Sequence, residues 1–143
     1  MNKFQFIYFF ISLIYVFYSL GGRFNDSDRY YNQLLKSKIL TINFCCAIFF
    51  ALIGTAIDSN IFRVNVQTSV YYIPIGFLFF LKLFNSLSYI INKRKFYSIV
   101  MQNDISPNRK DFFDLFSTLL IILLSMIAPL MIFNFILNDK FFN

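Results

Sequence analysis

The chain has 143 residues and is 58% hydrophobic and 22% aromatic, with 22 Phe and a formal charge of +6 from 13 basic and 7 acidic residues. So short and apolar a chain lacks the polar surface to cover a water-soluble core, so its solvent is lipid. With no His, haem, zinc and histidine acid–base chemistry drop out, and basic residues that cluster beside apolar runs serve topology and anionic headgroups rather than nucleic acid.

Residues 4–20 form a first apolar span behind Lys3. Tyr8, Ser12, Tyr15 and Ser19 recur at helical spacing and give it one mildly polar face, with the tyrosines as packing or interface residues. The Ser19-Leu20-Gly21 triplet is a weak signal-peptidase pattern, while Gly21-Gly22 suits a helix end. Residues 21–38 are a polar, basic loop. Asn25 to Asp28 is turn-like; the stretch lacks the glycine and distal acid of a calcium loop. Arg29 to Lys38 is expected as a short interfacial helix.

The second span, residues 39–57, carries Asn43, Ala47, Ala51, Gly54 and Thr55 on one face. Small residues at this spacing let backbones approach closely, and Asn43 can bond across helices. The face serves packing within the bundle or, alternatively, contact with a partner. Cys45 and Cys46 are adjacent, which strains any bridge between them, and they read as small packing residues. In the polar connection 58–69, Ile61 to Val66 alternate loosely, as an extended segment would.

The third span covers residues 70–91. Pro74 falls in its first turn or so, where proline costs least. Lys82, Asn85, Ser86 and Tyr89 stand at i, i+3, i+4 and i+7 and make one polar stripe. A lysine inside a span is either a functional charge or a residue that snorkels to the interface; the stripe as a whole is expected to face the bundle interior or a partner. Residues 92–111 are the most basic segment, in which Ser106-Pro107 signals a helix start. The last span, 112–137, has Asp111 and Asp114 at its beginning, where acids suit the helix dipole. Asp111, Asp114, Thr118 and Ser125 follow one face, and Pro129 is expected to kink the helix.

The fold expected is therefore all-α: a polytopic, four-transmembrane-helix bundle forming one membrane domain. Loops 21–38 and 92–111 carry 4 (Arg23, Arg29, Lys36, Lys38) plus 5 (Lys93, Arg94, Lys95, Arg109, Lys110) basic residues, hence 9, against 3 (Lys3, Arg63, Lys140) on the other side. The positive-inside rule puts both loops in the cytoplasm and both termini outside. Cleaving the first segment as a signal peptide would invert this, so it is kept as a span. Lys82 then lies about 13 Å from the cytoplasmic end of its helix, deeper than Asp114, and a Lys82–Asp114 pair would need snorkelling or tilt. No serine or cysteine has a credible base partner, and no phosphate-binding glycine loop appears. Neither an enzyme, a metal, a cofactor nor a small-molecule substrate is expected.

Residues 74–137 combine a span with Pro74, the basic-aromatic box Lys93-Arg94-Lys95-Phe96-Tyr97, the stretch Asn103-Asp104-Ile105-Ser106-Pro107 and a last span with Pro129. This arrangement resembles the small inner-membrane immunity proteins that protect bacteria from pore-forming colicins. The resemblance implies a cytoplasmic basic loop, a periplasmic C-terminus and recognition of the toxin's hydrophobic hairpin within the bilayer. Candidate contacts are the stripe Lys82, Asn85, Ser86 and Tyr89, the face of Asn43, Ala47 and Ala51, and Asp114. The alternative is an accessory subunit of a larger membrane complex, for instance a respiratory or photosynthetic one, in a bacterial or organelle inner membrane; its partners would be neighbouring subunits and the lipid bilayer.

Overall fold

In a computed structural model of the chain, residues 3–21, 23–25, 28–29, 33–57, 66–96 and 109–137 are described. Four long helices dominate: α1 (Lys3–Gly21), α2 (Ser37–Ile57), α3 (Ile73–Asn92) and α4 (Arg109–Leu137). A seven-residue 3-10 helix, η1 (Val66–Tyr72), leads into α3. Four segments are long and apolar enough to cross a membrane: Lys3–Gly21, Ser37–Ile57, Thr68–Asn92 and Phe112–Ile132.

The outer sides of these helices are apolar, and the interior joins an apolar core to buried small polar groups. Gln5, Ser12, Ser19, Ser88, Asp114, Ser117, Thr118 and Ser125 are buried, whereas Ile14, Phe49, Ile90, Phe112 and Met131 stand exposed. Hydrocarbon outside and small polar groups inside is the arrangement expected when lipid is the solvent, because an outward hydroxyl finds no partner in hydrocarbon while an inward one meets other helices. The chain is thus an integral membrane protein.

The third span is the hub. η1 touches all four helices, and α3 makes its most extensive pairing with α4. Tyr71, at the end of η1, is fully buried; its ring meets Tyr8 of α1 edge-on at 4.9 Å, and Tyr8 in turn meets Phe50 of α2 at 4.5 Å. The space for Tyr71 exists because Gly54 of α2 has no side chain: a Cβ there would lie 2.5 Å from the ring's Cδ1. On the other side of α3, Gly76 comes so close to α4 that a Cβ would be 3.3 Å from the Ser125 carbonyl. Pro129, inside α4, lacks the N–H that would bond this carbonyl, so glycine packs where the helix ladder is broken.

Pro74 is the second residue of α3, as its chemistry requires. The helix ends at Lys93, whose φ of 53° and ψ of 27° are left-handed. An L side chain there costs about 1–2 kcal/mol relative to the right-handed form, and glycine is the natural occupant of such a cap. Lys93→Gly should therefore be more stable than Lys93→Ala by about 1 kcal/mol. The comparison with Ala controls for the lost charge; equal unfolding midpoints for the two variants in a detergent titration would count against a left-handed cap.

Between α1 and α2 the chain departs from expectation. β1 (Arg23–Asn25) pairs antiparallel with β2 (Asp28–Arg29), so Arg29 is extended and not the start of an interfacial helix. Within the rest of that stretch Gln33 and Leu34 are helical, a turn at Lys36, closed by its N–H bonding the Gln33 carbonyl at 3.0 Å, precedes α2, and residues 30–32 lie outside the described residues. The short link between the paired strands falls where Asn25 to Asp28 has turn chemistry. The residues Ile61 to Asn65 and the whole stretch from Tyr97 to Pro107, with its helix-start signal at Ser106-Pro107, lie outside the described residues.

Candidate functional site

Three groups of candidate residues have distinct fates. On α2, Ala47 and Ala51 are buried together with Gly54 within the chain's own packing. Asn43 donates through Nδ2 to the Ile39 carbonyl of its own helix at 2.9 Å rather than across to a neighbour. In lipid an amide can satisfy itself on the preceding turn when no other polar group is at hand. Cys45 and Cys46 are free and exposed, outside the packed interior that their size suggests.

Asp114 is fully buried, and its partner is not Lys82. Arg94 reaches back from just beyond α3 and donates through Nη2 to Asp114 Oδ2 at 2.6 Å. The left-handed turn at Lys93 redirects the chain so that Arg94 and Phe96 return over the helix end. Phe96 is buried and its N–H donates to Asn85 Oδ1 at 3.2 Å, while Thr118 Oγ1 donates to the Asp114 carbonyl at 2.7 Å. The basic-aromatic box is thereby fastened to α3 and α4 by a charge-assisted hydrogen bond, a side-chain cap and a buried ring. Depth matching is the signal for this pair: Asp114 opens the last span and Arg94 closes the previous one, whereas Lys82 lies well inside.

The stripe on α3 does not face the bundle interior. Phe77, Leu81, Phe84 and Ser88 hold the inward positions, and Lys82, Ser86 and Tyr89 are exposed, with Asn85 at the border. Ser86 donates through Oγ to the Lys82 carbonyl at 3.1 Å. Lys82 and Ser86 line a groove of about 540 Å³ between α2 and α3, whose other walls are mainly apolar. A second groove of about 490 Å³, wholly apolar, runs between α3 and α4 past Ile75, Gly76 and Pro129. Both are bordered by Phe44 and Phe79. They adjoin into one trough floored by α3 and walled by α2 and α4, two helices that pack on α3 but make no extensive contact with each other among the described residues.

Such a trough offers shape, apolar surface and one ammonium. Among the described residues no group of three His, Cys, Asp or Glu side chains is placed to hold a metal ion. Compared with protein-family models, with curated proteins and with solved structures, the chain matches none of them.

Proposed function

We propose that this chain is an integral inner-membrane immunity protein that blocks a pore-forming bacteriocin by helix–helix recognition inside the bilayer. The observation that carries the reading is the placement of Lys82 and Ser86: polar side chains on the outward side of the central helix, within a membrane span and in an apolar trough. A lysine at such depth is costly and therefore a recognition candidate by default. The buried carboxylate within the spans, Asp114, is paired with Arg94 and not with Lys82. A toxin hairpin that inserts beside the bundle would meet α3 first through this stripe. The charge count further supports basic loops in the cytoplasm and periplasmic termini.

The test is protection of a sensitive bacterial strain that expresses the chain, challenged with a panel of pore-forming bacteriocins. Protection against one of them is expected, and Lys82→Leu or Asn85→Leu should abolish it at unchanged membrane level. Full protection by both variants would remove the stripe from the mechanism. A second reading rests on the same trough: an accessory subunit would hold a neighbouring subunit's helix there permanently. Co-purification of a stoichiometric partner in mild detergent would favour it.

A further inference from the structure

The trough has a definite length, depth and charge, and together these specify what fits it. It runs along α3 from Ile75 to Ser86, eleven residue steps or about 17 Å, more than half the hydrocarbon thickness of about 30 Å. Its walls are Leu40 and Phe44 of α2 and Ala128 and Ile132 of α4. Lys82 is ten residues short of the end of α3 at Asn92, about 15 Å from it.

We infer that the trough seats a single apolar transmembrane helix of another protein, and that this helix carries a carboxylate or amide at the depth of Lys82. The inference deepens the recognition reading above and rests on it. Three observations carry it. The ammonium has three donors and no acceptor, and among the described residues no carboxylate stands against it; the buried Asp114 is held by Arg94. The hydroxyls of Thr41 and Ser86, which also line the groove, already donate to carbonyls of their own helices. Their remaining lone pairs are neutral acceptors that leave the charge of the ammonium uncompensated, so its complement comes from outside the chain. A second copy of this chain does not supply a carboxylate, because Asp114 is the only acid within the four spans and it is internal. A phospholipid phosphate does not readily supply the complement either: it sits at the interface, beyond the reach of a side chain of roughly 6 Å from a depth of about 15 Å.

The experiment uses the full chain, donor-labelled and reconstituted in phosphatidylcholine vesicles with acceptor-labelled synthetic helices of Leu and Ala. The helices are identical except for one central residue: Asp, Asn or Leu. Energy transfer should report association of the Asp and Asn helices about three- to twentyfold tighter than the Leu helix, the range of interhelical polar contacts in bilayers. Lys82→Leu should erase the difference, and Ala128→Phe, which fills the trough wall, should weaken all three. Equal binding of all helices to the wild-type chain overturns the inference. So does an Asp preference that survives Lys82→Leu, or native mass spectrometry showing an anionic phospholipid retained through Lys82 while no helix binds. The outcomes separate from those of the recognition reading. Protection by the wild-type chain, lost in Lys82→Leu, with no acid or amide preference in the vesicles removes the inference alone, whereas helix binding without protection from any bacteriocin removes the immunity reading alone.

Discussion

Arg94→Ala will destabilise the bundle by about 3 kcal/mol, the low end of the cost of removing one partner of a buried ion pair. The low end applies because the Arg94 side chain is 34% exposed, so that part of the guanidinium stays solvated, while Asp114 is at 0%. The asymmetry between partners follows from burial. Withdrawing Arg94 leaves a carboxylate inside a helical bundle where charge is expensive. Asp114→Asn keeps an oxygen that accepts from Arg94 and removes the charge, so its cost should be smaller, about 1 kcal/mol. The double variant Arg94→Leu/Asp114→Leu should fall near Asp114→Asn, because both charges leave together. Reversible unfolding in mixed detergent micelles measures the cycle. An Arg94→Ala cost no larger than that of Asp114→Asn would mean that the pair does not hold the basic box against α3 and α4. A local consequence accompanies the global one: with Arg94 gone, backbone amides from Lys93 to Phe96 should exchange hydrogen faster, since that return then loses its ion pair to α4.

This pair also marks the limit of what was legible in the chain. The four spans are visible as apolar runs, because membrane thickness fixes their length and lipid fixes their composition. The closing Gly21, the early Pro74 and the small face of Ala47, Ala51 and Gly54 are local rules that the structure keeps. The direction of the Lys82 stripe is not a local property. Spacing shows that Lys82, Asn85, Ser86 and Tyr89 share a side, but in lipid the polar side of a helix can turn inward or toward a partner, and packing decides. Here Phe77, Leu81 and Phe84 win the interior because η1 and α4 need large side chains against them. The partner of Asp114 was hidden for another reason. Arg94 and Asp114 are twenty residues apart, and only the left-handed turn at Lys93 brings them together. Nor does the segment Val66–Tyr72 announce a 3-10 wedge: residues 66–69 read as the end of a polar connection and residues 70–72 as the beginning of a span, whereas the two form one 3-10 helix that buries Tyr71 among the helices.

Gly54→Ala will cost about 2 kcal/mol, and a smaller side chain at position 71 will recover most of it. The added Cβ would sit 2.5 Å from Tyr71 Cδ1, 2.8 Å from Cγ and 3.0 Å from Cε1. Those are atoms of a rigid ring, not the end of a flexible chain, and the ring is already held by Tyr8 on its other side. Relief therefore requires α2 to move away from η1, which loosens the contacts by which η1 joins the helices; overpacking of this kind costs about 1–3 kcal/mol. Without a strong hydrophobic drive between helices in lipid, close approach through glycine is itself a main source of association, so the loss is felt in assembly and not only in local fit. Tyr71→Phe should give no relief, because the three atoms in conflict are common to both rings. Tyr71→Leu is destabilising by itself, through lost ring contacts with Tyr8, yet in that background the additional cost of Gly54→Ala should shrink toward zero. The measurement is a double-mutant cycle on unfolding free energy in micelles. Strict additivity of Gly54→Ala and Tyr71→Leu would show that the two residues do not touch, and with that the central position of η1 would fall.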